Sequence, residues 1–219
     1  LTSSGVAFTA VYKSESESVK LGIPGLFSVY NALGVIGCGL ELGIDLHECA
    51  DSLASAKGVK GRVEVVPTDG DYTILIDYAH TPDALENVLK SMRRVTNGRL
   101  VALFGCGGDR DRTKRPIMGR IAADNADFVV VTSDNPRTED PEAIIADIVA
   151  GMEGTSTLRE VITGRPEAIE WAITHHEPGD VIVLAGKGHE DYQIVGHEKH
   201  HMDEREIVAD ILEKRKKDR

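Results

Sequence analysis

From Gly61 onward, short runs rich in Val, Ile and Leu alternate with amphipathic stretches that each open on a proline, and few folds accommodate that alternation. The strand-like runs cover residues 72–77, 100–104, 128–132, 159–162 and 181–185. Helical stretches over 84–95, 117–125, 143–152 and 168–175 follow Thr81-Pro82-Asp83, Arg115-Pro116, Asp140-Pro141-Glu142 and Arg165-Pro166-Glu167. Proline in the first turn removes no intrahelical hydrogen bond and presets φ, so it marks helix starts. Nearly continuous apolar strands are buried on both faces, as in parallel sheets. The pattern therefore predicts an α/β fold, a mostly parallel sheet with helices on both faces. Residues 192–201 read as a hairpin around Gly196. A helix from Asp203 follows, with Lys214, Arg215, Lys216 and Lys217 at its negative dipole end as a solvated cap.

Residues 1–58 have a different texture. A short β-rich start leads through a polar, charged link at 13–20 to a helix after Pro24, where Leu26, Val29, Leu33, Ile36 and Leu40 fall at helical spacing. Leu46, Cys49, Ala50 and Leu53 mark a second helix. Two helices with little sheet do not readily make a domain, so 1–58 is expected to be the end of a preceding domain and 59–219 a domain of its own. A chain starting at Leu1 without methionine is likewise expected to be an excised piece of a longer protein.

Composition removes several function classes. With 36 acidic against 25 basic residues and a net charge of −11, the chain lacks the basic face that nucleic acid requires. No apolar run reaches the roughly 18 residues of a membrane span, and no secretory signal precedes the first strand. Cys38, Cys49 and Cys106 form no Cys-x-x-Cys pair, so the expected compartment is the reducing cytoplasm. His197, His200 and His201 lack a cysteine partner and are expected on the surface, and no metal site is assigned.

In open parallel sheets ligands bind beyond the carboxyl ends of the strands, and the unusual residues collect there. The first strand is followed by Asp77-Tyr78-Ala79-His80-Thr81-Pro82, the third by Asp134-Asn135-Pro136-Arg137, and the fifth by Gly186-Lys187-Gly188-His189-Glu190-Asp191. The loop from Gly105 to Pro116 holds three glycines and four cations in an acidic chain, a field suited to carboxylate or phosphate. Arg110 stands where a dinucleotide fingerprint needs its last glycine, and no Gly-x-x-x-x-Gly-Lys-Ser/Thr occurs, so the chain has no complete triphosphate cradle. Asp134, Asn135 and Arg137 suit a zwitterionic amino acid, Arg137 taking the carboxylate by paired N–H bonds and a nearby acid the ammonium. They equally suit a capped turn before the Pro141 helix. Glu190 is a second ammonium partner or a surface acid. His80 beside Asp77 resembles a base pair without a nucleophile.

Together these segments, with Gly58-Val59-Lys60-Gly61-Arg62-Val63-Glu64, resemble in order the Mur ligases of peptidoglycan synthesis, and most of all the members that add meso-diaminopimelate to UDP-N-acetylmuramoyl-L-alanyl-D-glutamate. The resemblance covers nearly the whole chain. It implies a Rossmann-like C-terminal domain that binds the incoming amino acid, preceded by the tail of a central ATP-binding domain. By the same likeness Arg115, Asp134, Asn135, Pro136, Arg137, Gly186 and Glu190 hold meso-diaminopimelate, with Arg137 at its distal end. Asn31, Arg62, Asp77 and His80 match nucleotide contacts. Family chemistry is phosphorylation of the D-glutamyl γ-carboxylate by ATP with Mg2+, attack by the diaminopimelate amine, and collapse of the tetrahedral intermediate. The family's P-loop, magnesium acids, carbamylated lysine and UDP-binding domain are missing from these residues. No catalytic residue is assigned, and the isolated chain is expected to be a monomer inactive as a ligase. A lysine-adding or folate-polyglutamate relative and a stand-alone amino-acid-binding domain are the alternatives. An NAD-dependent oxidoreductase fails at Arg110.

Overall fold

A computed structural model describes residues 1–217. The chain divides into two compact units, Leu1–Val59 and Lys60–Arg219.

In the first unit, β1 (Val6–Tyr12) and β2 (Glu15–Leu21) pair antiparallel, with Val6 opposite Leu21 and Tyr12 opposite Glu15. The segment expected as a polar link is thus mostly a strand. Its polar residues Glu15 to Ser18 lie on the open part of the ribbon, while Val19 and Leu21 alternate inward. Helices α1 (Leu26–Glu41) and α2 (Leu46–Ala54) cover that face, and Val6, Ala10, Val19, Leu21, Ile36, Leu46 and Leu53 form a small core. The stripe expected on α1 holds at Ile36, which is buried, and at Val29 and Leu40, which pack against the core, but not at Leu33, which is exposed. Ser28, Ala32 and Gly39 are buried on the same helix, and their small side chains let it approach closely.

The second unit is built on a six-stranded sheet: β3 (Glu64–Val66), β4 (Tyr72–Asp77), β5 (Leu100–Phe104), β6 (Phe128–Val131), β7 (Leu158–Val161) and β8 (Asp180–Ala185), in the order β3-β4-β8-β5-β6-β7. All neighbours are parallel except the short edge strand β3, which pairs antiparallel with β4. That strand escaped the sequence pattern because it is short and only half-buried. Alternate residues of β4 serve opposite cores. Leu75 joins α3 (Pro82–Arg93), α4 (Lys114–Asn125) and α5 (Pro141–Ala150) on one side. Ile74 and Ile76 join α6 (Arg165–Thr174) and α7 (Glu204–Lys217) on the other. Each such side chain, wholly removed from water, contributes about 1.5–3 kcal/mol.

The helix starts follow the proline signals. Thr81 accepts from the Ala84 amide ahead of Pro82, and Asp140 from the Glu142 amide ahead of Pro141. The hairpin is β9 (Tyr192–Val195) with β10 (Glu198–His201), where His197, His200 and His201 are exposed. Because β8 returns between β4 and β5, the loops leaving β4, β8, β5 and β6 stand side by side at one sheet edge.

Candidate functional site

Those four loops, with the β9–β10 hairpin as one wall, enclose a cleft of about 560 Å³. The wall is attached by backbone. The Arg137 amide donates to the Ile194 carbonyl at 3.0 Å, and the Gly196 amide to the Arg137 carbonyl at 2.7 Å. These bonds hold Arg137 at φ 52°, a left-handed conformation uncommon for a residue with a side chain. On the opposite side Gly186 has φ 117°, and a Cβ there would lie 3.0 Å from Asp134 Oδ2. Glycine at this point lets β8 turn away while Asp134 stays close.

One pole of the cleft is acidic. Asn135 Oδ1 accepts from Lys187 Nζ and from the Ile194 amide, each at 2.9 Å, which directs its Nδ2 to Glu190 Oε2 at 3.0 Å. Lys187 is completely buried and also donates to Glu190 Oε2 at 2.7 Å and to the Tyr192 carbonyl. Burial opposes ionisation of Glu190, yet the Lys187 and Asn135 hydrogen bonds outweigh it and hold the carboxyl below its ordinary range. Among the described residues, Glu190 Oε1 and Asp134 Oδ2 have no hydrogen-bond donor. Both acids line the cleft.

The other pole is cationic. Arg137 Nη1 donates to the Gly108 carbonyl at 2.8 Å, while its Nε and Nη2 have no acceptor among the described residues. Arg110, Lys114 and Lys199 line the same cleft. A free guanidinium edge matches a carboxylate, and the carboxylate oxygens across the cleft match an ammonium. Cys106 also lines it, but burial first of all pushes its thiol up to about 12, so it is no nucleophile at neutral pH.

Of the residues singled out by sequence, Asp134, Asn135, Arg137, Gly186, Glu190 and His80 meet in this cleft. Pro136 is buried beneath it and its carbonyl accepts from the Glu139 amide at 3.1 Å. Arg115 is not brought to the cleft. It lies in the first turn of α4, 1% exposed, with Nη2 2.9 Å from Glu139 Oε1 and Nη1 2.9 Å from Asp147 Oδ2. Glu139 also accepts from the Asp109 amide and Arg112, so Arg115 braces the loops and touches no open space. Asp77 is likewise withdrawn: its two oxygens accept from the Val63 and Ala79 amides, each at 2.8 Å. Burial pushes its carboxyl up, against those two bonds. Arg62 is exposed with its guanidinium 5.1 Å from the Tyr78 ring centre. Asn31 lies exposed on α1 in the first unit.

Sequence reasoning missed Lys187, Tyr192 and Lys199. The available signal for the first was a lysine directly after a fully buried strand, where no solvent face remains for it.

The sheet and cleft define a Rossmann-like α/β domain whose candidate site lies at the carboxyl edge of parallel strands. The chain belongs to the Mur ligase family: residues 61–188 match the family described as Mur ligase, glutamate ligase domain. It is 48% identical over 212 residues to a UDP-N-acetylmuramoyl-L-alanyl-D-glutamate--2,6-diaminopimelate ligase of Clostridium botulinum, covering 96% of this chain and 44% of the relative. A solved structure of a ligase with that same description superposes with TM-score 0.80 at 39% identity, over 98% of this chain and 44% of the other. The MurF ligase of Thermotoga maritima in complex with ADP shares the fold at TM-score 0.61 and 19% identity, over 98% of this chain and 47% of that one. The chain thus spans less than half the length of these relatives.

The Gly186-Lys187-Gly188 loop does not fit the triphosphate of ATP. It is the nearest approach to a phosphate loop, and its lysine is turned inward with its donors occupied by Asn135, Glu190 and Tyr192.

Proposed function

We propose that this chain is the amino-acid-binding part of a longer ATP-dependent ligase that adds meso-diaminopimelate to UDP-N-acetylmuramoyl-L-alanyl-D-glutamate in peptidoglycan precursor synthesis. One observation carries the reading: a guanidinium edge on Arg137 and carboxylate oxygens on Asp134 and Glu190 are left unpaired in the same cleft. Diaminopimelate has an ammonium and a carboxylate at each end, so one end can be bound by these groups while the amine of the other remains to react. The naming of the relatives agrees with this choice of amine.

The contribution of these residues is positional. Holding one end of the amino acid fixes where the other amine stands, which removes the entropic cost of bringing two reactants together. No proton-transfer group is assigned, and the nucleotide and Mg2+ belong to the remainder of the full-length enzyme. On this reading the isolated chain is an inactive cytoplasmic monomer that binds small molecules, with no nucleic-acid or membrane partner.

Calorimetric titration of the chain with meso-diaminopimelate and with L-lysine tests the reading, because the two ligands differ by one carboxylate. A preference for diaminopimelate of about 1–3 kcal/mol is expected from one charge-assisted contact. Equal affinity for both would assign the cleft to a different amine, and a lysine preference would favour the lysine-adding branch of the family.

A further inference from the structure

Lys187 is the least expected residue of the second unit. A lysine side chain rarely gives up all contact with water, yet this one is 0% exposed, on a loop between two glycines. An ammonium has three N–H donors, and here there are three acceptors: Asn135 Oδ1 at 2.9 Å, Glu190 Oε2 at 2.7 Å, and the Tyr192 carbonyl. Nothing remains with which to touch a ligand. Its effect on the cleft must pass through its partners.

We infer that Lys187 is the positioning residue of the acidic pole: its three donors fix the orientation of the Asn135 amide and pin one oxygen of Glu190, leaving the other for a cationic ligand group. The assignment rests on the amino-acid-binding reading above only for the identity of that ligand. Asn135 Oδ1 takes two donors, Lys187 Nζ and the Ile194 amide, so rotating the amide by half a turn would set its NH2 group against two N–H groups. That excludes the flipped state and commits Nδ2 to Glu190 Oε2. With two donors on Oε2, the carboxylate cannot swing into the space a ligand would fill, and Oε1 stays presented. The Tyr192 bond anchors the first residue of β9, whose strand forms the cleft wall.

The charge of Lys187 matters as much as its geometry. Glu190 is partly buried, a condition that by itself favours the neutral acid. Lys187 and, more weakly, His189 on its own loop favour the carboxylate. Tyr78 after β4 and Tyr192 at the start of β9 also interact with it, and Asp134 and Arg137 after β6 and Lys199 on β10 line the same cleft. Neither tyrosine supplies positive charge, so removing Lys187 leaves the Asn135 hydrogen bond and the weaker attraction of His189 to oppose burial.

The test is the variant Lys187→Met, which keeps an unbranched apolar stem of nearly the same length and removes the charge and donors. Carboxyl-carbon NMR of the 219-residue chain follows the Glu190 titration directly, with no ligand present. Its midpoint is expected to rise in the variant. Affinity for meso-diaminopimelate is expected to fall roughly ten- to a hundredfold at neutral pH and further as the pH is lowered, whereas a merely structural defect would weaken binding equally at every pH. An unchanged Glu190 midpoint would overturn the inference whatever the ligand. A shifted midpoint, together with no binding of diaminopimelate by the unmodified chain, would reject the proposed substrate and leave the role of Lys187 standing. Should the Met variant not fold, the unmodified chain still answers: the Lys187 ammonium resonance should be protected from exchange and move with the Glu190 titration, and a rapidly exchanging, insensitive signal would refute the assignment.

Discussion

Gly108 and Pro136 meet so closely that a Cβ on Gly108 would stand 1.9 Å from the Pro136 carbonyl oxygen. The contact joins the loop after β5 to the loop after β6, and the Gly108 amide adds a bond to the Asn135 carbonyl at 2.9 Å. Gly108 also offers its own carbonyl to Arg137 Nη1. In Gly108→Ala the loops must part, with a stability loss of about 1–3 kcal/mol by overpacking. Arg137 should lose its anchor at the same time. Urea unfolding together with a diaminopimelate titration checks both effects, and an unchanged midpoint with unchanged affinity would show that the loops are not coupled here.

Arg137 itself separates charge from geometry. A lysine at this position keeps the charge but loses the planar pair of donors. Arg137→Ala is expected to weaken meso-diaminopimelate binding roughly ten- to a hundredfold while leaving L-lysine binding nearly unchanged. Arg137→Lys should fall between the two for diaminopimelate. If alanine weakened both ligands alike, the arginine would be serving the end of the molecule that they share.

The difference between Arg137 and Arg115 shows which parts of such a site a sequence discloses. Asp134 to Arg137 was legible because a proline-fixed turn directly after an apolar strand has few conformations, and the sheet edge places it at the ligand position. Arg115 sits beside a proline in an equally polar loop and reads the same way. Its partners Glu139 and Asp147 lie 24 and 32 residues further on, and only the packing of α4 against α5 brings them together. Lys187 was obscured for the same reason, since glycines on both sides suggest an open loop. In β2 the misleading signal was local, because Glu15 to Ser18 disguise a strand that buries only Val19 and Leu21.

The Arg115 contact predicts a pH dependence. The Arg115 hydrogen bond, followed by that of the Asp109 amide, lowers the Glu139 carboxyl from 4.5 to about 2. A carboxyl depressed in the folded state stabilises fully above its unfolded value, and that stability is lost as the pH falls through the folded one. Unfolding free energy measured by urea titration should therefore decline from about pH 4.5 towards pH 2 in the unmodified chain. Arg115→Met should be less stable at neutral pH and show a shallower decline. Parallel curves for the two chains would remove Glu139 from the acid response.

Cysteine chemistry gives a test of the cleft floor. Cys38 is exposed, whereas Cys106 is buried with its thiol pushed up to about 12. Iodoacetamide at mildly alkaline pH reacts with thiolate, so peptide mapping by mass spectrometry should find Cys38 carboxamidomethylated and Cys106 intact. Rapid modification of Cys106 would mean that the cleft opens far more than its hydrogen bonds suggest.

Beneath the cleft, Arg165 at the start of α6 and Glu204 at the start of α7 form an ion pair with both side chains 0% exposed, Arg165 Nε donating to Glu204 Oε1 at 2.8 Å. Arg165 Nη2 also donates to the Ala185 carbonyl at 2.9 Å, directly ahead of Gly186. Removing one partner strands a buried charge, so Glu204→Leu should cost about 3–5 kcal/mol. Removing both strands none, and Arg165→Met/Glu204→Leu should be more stable than the single Glu204 variant. The double variant still leaves the Ala185 carbonyl without its donor, which frees the end of β8 to move under Gly186. It is therefore expected to fold and yet bind meso-diaminopimelate less tightly than the unmodified chain. Urea unfolding of the two single variants and the double variant measures the coupling. Additive losses would mean that the two charges do not depend on each other, and unimpaired binding by the double variant would mean that Gly186 is held in place without the Ala185 contact.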